Sequence, residues 1–228
     1  MTAIAEEGSQ LHRQVFWPAL AFTIGAAGVA ATSFFYLLSP PEAVLPFVPL
    51  DPAQAAAGAL RGAAMLHIAG LIGIMSDVIL ASAALSLGAQ ASADGGADSR
   101  ALGWSLLATA TLVFIGVDAA LGFVLPALAA QTSAAFLGGK IFADTLFSLG
   151  TFGFGLGGIL LLMPYIRGRA RGLGGAAWPA LVFATISILA GVGTLLGFDL
   201  HNFIGLGIGG GAVAFVVVGL RLLLPAQP

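Results

Sequence analysis

Residues 141–163 read IFADTLFSLGTFGFGLGGILLLM, a run with one acid and no base. A bilayer core about 30 Å thick needs about 20 helical residues to cross it, and this run is long enough. Helix is the expected form, because every backbone amide must be satisfied inside the segment. A transmembrane barrel would alternate polar and apolar positions, and this stretch does not. The same reading applies to residues 15–38, 62–87, 102–125, 177–196 and 203–224. Hydrophobic residues make up 59% of the 228 positions and charged residues 8%; mean hydropathy is +1.04. Such a chain cannot supply the polar shell of a soluble domain. The expected fold is therefore all-α: a polytopic membrane bundle of six transmembrane helices over residues 15–224, with tails at 1–14 and 225–228 and no second soluble domain.

Composition excludes several function classes. Net charge is −2, so no polybasic surface points to nucleic acid. There is no cysteine, which rules out disulfides, thiolate catalysis and cysteine-ligated metal centres. The first 14 residues hold Glu6 and Glu7 against Arg13, unlike the basic start of a secretory signal.

The chain is punctuated by proline. Pro40 and Pro41 are expected to end the first span, Pro126 the third and Pro164 the fourth. Pro18 and Pro179 fall early in the first and fifth, where a missing amide proton costs little. Residues 39–54 hold five prolines and read as a stiff, extended loop over one mouth of the bundle. Residues 90–99 read as a short polar loop. Residues 197–202 are so short that the last two spans must form an antiparallel hairpin.

Basic residues set the expected orientation. With six spans, one side holds Arg13, Arg100, Arg167, Arg169, Arg171 and Arg221, and the other only Arg61 and Lys140. Six against two puts both termini in the cytoplasm, with the bacterial inner (plasma) membrane as the location. Trp17, Trp104 and Trp178 each open an odd-numbered span, which would place all three at the cytoplasmic interface.

Two glycine patterns, Gly153-x-Gly155-x-x-Gly158 and Gly205-x-Gly207-x-x-Gly210, match a dinucleotide fingerprint by letter. That fingerprint requires a preceding strand, and both lie inside apolar spans. They read instead as small-residue faces for close helix packing, with Gly153/Gly157, Gly205/Gly209 and Gly207/Gly211 as pairs.

The informative residues are ionisable ones at membrane depth. Asp77, Asp118, Asp144 and Asp199 fall within spans or at their ends, where a central charge costs about 2.5–3.5 kcal/mol on insertion scales. Asp118 lies roughly 21 Å past Trp104 by helical rise. Asp144 lies one turn past Lys140. His67 opens the second span, Asp199 and His201 sit in the hairpin, and Asp77 falls near the midplane. His67, Asp118, Lys140, Asp144, Asp199 and His201 thus share one layer, on the side away from the termini. Lys140, Asp144, Ser148 and Thr151 recur on one face of the fourth span. Each of these also has a plain structural reading: a polar side chain in a span often just bonds its neighbour helix, and Asp199 also reads as a cap of the last helix.

Three functions are compatible with this layer. The first is a polar cavity, open on the side away from the termini, that binds or passes a small solute or protons through Asp77, Asp118, Lys140, Asp144, Ser148 and Asp199. The second is a redox or metal protein in which His67 and His201 ligate a haem b or join Asp118 and Asp144 on a metal. The third is a non-catalytic accessory subunit of a larger membrane complex or homo-oligomer, in contact with lipid. No nucleophile–base pairing or metalloprotease motif points to an enzyme.

The run Arg61-Gly-Ala-Ala-Met-Leu-His-Ile-Ala-Gly-Leu-Ile-Gly-Ile-Met-Ser-Asp77-Val-Ile-Leu resembles the second span of a bacterial family of six-span membrane proteins of unknown function. Residues 146–169, glycine-rich and ending in a basic loop, are similar to that family's fourth span. The resemblance implies a six-helix bacterial membrane protein and carries over no catalytic residue. The Lys140–Asp144 pair matches nothing in that family's pattern.

Overall fold

The structure, a computed structural model, describes residues 2–47, 51–93, 99–168 and 173–224, with backbone alone for 2–14. Asp94, Asp98, Arg169, Arg171 and the tail 225–228 lie outside the described residues, as do the side chains of Glu6, Glu7, His12 and Arg13. The described elements are helical: α1 (Thr2–Leu37), α2 (Pro41–Val44), α3 (Pro52–Arg61), α4 (Ala63–Ala93), α5 (Ser99–Ala119), α6 (Leu125–Ala129), α7 (Ser133–Ile166), α8 (Ala177–Leu195) and α9 (His201–Leu223). Six stretches are long and apolar enough to cross a membrane: Val15–Leu37, Ala63–Ala93, Ser99–Ala129, Ser133–Ile166, Ala177–Leu195 and His201–Leu223. Such a set is compatible with an integral membrane protein, as the sequence indicates.

The six spans form a ring in chain order. Each packs beside its sequence neighbours, and α9 closes onto α1. Glycines set the separations. Gly25 and Gly28 of α1 lie against Leu80 and Ser76 of α4, Gly70 of α4 against Gly122, and Gly219 of α9 against Thr23 of α1. Lost side chains let backbones approach, which is how helices associate where water supplies no hydrophobic drive. The interior is filled by a ladder of rings: Trp104–Phe22 (5.1 Å), Phe22–Phe215 (5.7 Å), Phe215–Phe154 (5.2 Å), Phe154–Phe114 (6.3 Å) and Phe114–Phe147 (5.9 Å). Most of these pairs are edge-to-face, the arrangement the ring quadrupole favours. Phe22 and Trp104 come from α1 and α5, which are not neighbours in the ring, so the ladder crosses its centre. Large apolar side chains such as Met75, Leu112 and Leu189 point outward and are exposed.

Several boundaries differ from the sequence expectations. Pro126 does not end the third span. Residues Ala120–Val124 widen into a π-turn, in which the Leu125 N–H donates to the Ala120 carbonyl, and α6 then continues to Ala129. Proline lacks an N–H and crowds the carbonyl four residues back; one five-residue step absorbs both faults without breaking the span. Pro164 likewise lies inside α7, which runs on to Ile166. Pro18 lies inside α1, because that helix runs back to Thr2. The expected loop at 90–99 is narrower, since α4 extends to Ala93 and α5 begins at Ser99.

Where it is described, the proline-rich connection is not extended. It contains α2 and α3, and two of its prolines, Pro41 and Pro52, start helices instead of stretching the chain. Pro41 and Pro52 occupy first-turn positions, where the absent donor is an orphan anyway. Asp51 caps α3 by accepting from the Ala53 N–H at 2.8 Å. Residues 38–47, called the strap below, cross the end of the bundle opposite the termini. The hairpin at 197–202 is as tight as expected. Gly197 takes φ +87°, and the Phe198 N–H returns to the Gly193 carbonyl at 2.9 Å, the usual glycine-assisted helix stop. The tryptophans divide. Trp17 and Trp178 are exposed, but Trp104 is buried against Phe22, so its indole serves packing and not an interface.

Candidate functional site

The in-span polar residues separate into three groups. The first is built on α1, α4 and α5. Asp77 and Asp118 are 1% and 6% exposed and meet at one small cavity. The Tyr36 hydroxyl, from the last turn of α1, donates to Asp118 Oδ1 at 2.8 Å. Gly73, one turn before Asp77 on α4, makes room for this meeting: a Cβ there would collide with Asp118 Oδ2. Among the described residues no Lys, Arg or His pairs with either acid. Asp77 Oδ2 is buried without a hydrogen-bond partner. A cavity of about 40 Å³ lies against the pair, lined also by Thr32, Ser33 and Phe147. That is room for at least one water, which needs roughly 10–15 Å³.

Two carboxyl groups at one buried cavity with no cation beside them repel each other when both are ionised. The dyad can therefore act as a proton site. Tyrosine supplies the remaining donor and a polar link toward the strap.

The second group is built on α7 and the strap. Lys140 and Asp144 are 4% and 3% exposed and form an ion pair at 2.5 Å. Lys140 Nζ also donates to the Leu45 carbonyl at 2.8 Å. Asp144 Oδ2 accepts from the Phe47 N–H at 2.9 Å. Both side chains thus spend their polar atoms on the strap. Ser148 and Thr151 continue the stripe and are fully buried. Thr151 donates to the Phe147 carbonyl at 2.7 Å, while Ser148 Oγ has no partner.

The third group is the hairpin. His201 Nδ1 lies 2.5 Å from Asp199 Oδ1, and the Asp199 side chain is 80% exposed. His67 stands apart on the bundle periphery, edge-on to Phe123 at 5.3 Å. The contacts of the two imidazoles share no residue, and among the described residues no cluster of three or more His, Asp or Glu side chains could hold a metal. The single layer expected from depth is therefore two buried clusters and a hairpin. Asp77, expected to stand alone at the midplane, is the partner of Asp118. Asp144, expected near Asp118, belongs to the strap.

Tyr36 was not singled out by sequence. Its signal is weak: a tyrosine in the last turn of a span also reads as an interface residue. Only the α1–α4–α5 packing reveals that its hydroxyl turns inward. Replacing it tests the bond directly. Tyr36→Phe keeps the ring and leaves Asp118 Oδ1 without its donor, which costs about 1–3 kcal/mol. A melting temperature in detergent lowered by several degrees is expected; an unchanged one would show that the hydroxyl contributes nothing.

No family model, no curated protein and no solved structure matches the chain. What the site does must be argued from its own geometry.

Proposed function

We propose that this is a six-span integral membrane protein whose Asp77–Asp118–Tyr36 cluster binds and releases a proton. The observation that carries this reading is the meeting of two carboxyl groups inside an apolar ring with no cation beside them. Acids at membrane depth are costly and mark proton or ion pathways more often than other in-span residues do. A purely structural role needs only one polar contact, and two neighbouring acids without a base are an expensive way to make it.

The aromatic ladder argues against an open pore. Trp104, Phe22, Phe215 and Phe154 occupy the half of the interior toward the termini. Uptake from the strap side is the direction this packing favours. The six-to-two split of basic residues supports an orientation with the termini in the cytoplasm and the strap on the outer face of a bacterial inner membrane.

The test is a reconstituted one. Protein in liposomes loaded with a pH-sensitive dye is given a proton gradient, and infrared difference spectra follow the carboxyl band. The wild type is expected to speed decay of the gradient and to show a pH-dependent band from a dry, protonated carboxyl. Asp118→Asn and Asp77→Asn should remove that band and slow the decay about tenfold, as for loss of an obligatory in-span carrier. Wild-type spectra and fluxes in the double variant would overturn the reading.

A further inference from the structure

We infer that the cavity beneath the strap binds a small neutral amphipathic molecule that comes sideways from the surrounding leaflet between α1 and α9. The cavity measures about 230 Å³, roofed by Pro41, Leu45 and Pro46 and floored by Tyr36, Phe147 and Ile208. It does not end at the helix surfaces. A second cleft, lined by Ala30, Phe34, Leu206 and Gly209, shares Ser33, Leu37, Leu45, Asn202 and Gly205 with it. The two adjoin along these shared walls, and the second lies at the bundle periphery beside Phe34, Leu37 and Leu206, all exposed. On a membrane-spanning helix, exposed apolar side chains face hydrocarbon. The doorway thus gives onto lipid.

Glycine makes the doorway. A Cβ at Gly205 would meet nothing within 4 Å, so the opening is the space that a side chain there would fill. The chemistry of the occupant follows from the walls. They are mostly apolar, which suits an apolar body. The Ser33 hydroxyl and the Asn202 amide line the shared region and make no hydrogen bond to another described residue, so they can serve a polar head. No Lys, Arg, Asp or Glu lines the cavity, and the Nδ1 of His201, which does line it, is already taken by Asp199, so an ionic head finds no free counter-charge there. The cavity itself is smaller than the roughly 300–1,000 Å³ of sites for drug-sized ligands, so it suits the head and ring of a compact phenol or alcohol, with any tail lying in the adjoining cleft. This site touches Tyr36 but does not depend on whether the dyad exchanges protons.

The probe is an alkylphenol carrying a photoreactive diazirine, applied to the full protein in lipid nanodiscs, with labelled residues mapped by mass spectrometry. Labelling should saturate, centre on residues 30–46 and 202–210, and be displaced by the plain alkylphenol. Gly205→Phe should lower that labelling about tenfold, equivalent to a loss of about 1.4 kcal/mol, with the melting temperature unchanged. Gly138→Phe is the control, because a Cβ at Gly138 also meets nothing within 4 Å and Gly138 is not among the cavity walls; it should label as the wild type does. If Gly205→Phe fails to fold, Asn202→Leu removes a head partner at an exposed position and should also reduce labelling. Asp118→Asn should label normally, which separates this site from the proton reading. Labelling that never saturates, that spreads evenly over peripheral positions such as Leu71 and Leu112, or that persists in both doorway variants would overturn the inference. So would a phospholipid chain in the cleft that the phenol cannot displace.

Discussion

Lys140→Met is expected to lower the melting temperature of the detergent-solubilised protein by about 10 °C, the largest loss from any single charge removal. Lys140 holds two acceptors, Asp144 Oδ1 and the Leu45 carbonyl. Its loss leaves a carboxylate buried with only the Phe47 N–H for company. Breaking a buried ion pair by removing one partner costs about 3–5 kcal/mol, and each kcal/mol shifts the midpoint of a chain this size by roughly 2–4 °C. The strap suffers with it. Phe47 sits at φ +53°, a left-handed conformation that costs a bulky residue about 1–2 kcal/mol. Its N–H bond to Asp144 is what holds it there. Limited proteolysis should therefore cut the Lys140→Met variant within residues 38–47 at concentrations that spare the wild type. The double variant Lys140→Met, Asp144→Leu separates the two effects. Replacing both charges by apolar groups is often neutral or stabilising, so it should regain most of the melting temperature. It restores neither strap contact, so the proteolytic sensitivity should remain. A single variant that melts with the wild type and resists cleavage would show that the clasp is ornamental.

The same clasp shows what a sequence can and cannot reveal. The spacing of Lys140, Asp144, Ser148 and Thr151 put them on one helix face, and that face is buried. What the spacing could not supply is the partner. Leu45 and Phe47 offer main-chain groups, which carry no letter in the sequence, and Leu45 lies 95 positions from Lys140. Acid and base in the order Lys-then-Asp are the weaker helical arrangement, but here strap contacts, not surface pairing, fix both side chains. The Asp77–Asp118 meeting was hidden for a different reason. Depth counted from span ends placed Asp77 deeper than Asp118, yet the third span runs on past Leu125 to Ala129, which sets Asp118 deeper from that end than the expected boundary allowed. Lateral position depends on which glycines touch, and Gly73 beside Asp118 could not be distinguished from the other 32 glycines by eye. Span number, by contrast, was fully legible, because hydrocarbon imposes length and polarity on every crossing segment alike.

Glycine packing gives the second large expectation. Gly157→Leu is expected to prevent the native bundle from forming, and Gly157→Ala to destabilise it by about 1–3 kcal/mol, the range for an overfilled interface. A Cβ on Gly157 would stand 2.7 Å from the Leu107 backbone nitrogen and 3.0 Å from the Gly103 carbonyl oxygen. Gly103 answers in kind: its own Cβ would stand 2.5 Å from the Leu161 nitrogen. Two backbones are in direct contact, so neither a rotamer change nor a flexible side chain can give way. The interface between α5 and α7 must separate to admit even a methyl group. Gly209 is different. Its Cβ would meet Ser33 Cβ at 3.3 Å, a contact that a small movement of the helices relieves. Gly209→Leu should therefore lower the melting temperature less than Gly157→Leu does. Gly138→Ala should raise it slightly, since alanine favours helix by about 0.5–1 kcal/mol over glycine and meets no neighbour there. The ordering Gly157, then Gly209, then Gly138 is the decisive result, because helix propensity alone would make alanine stabilising at Gly157 as well as at Gly138. A thermal series in one detergent reads it directly, and a Gly157→Ala protein as stable as the wild type would mean that α5 and α7 do not approach as closely as their glycines permit.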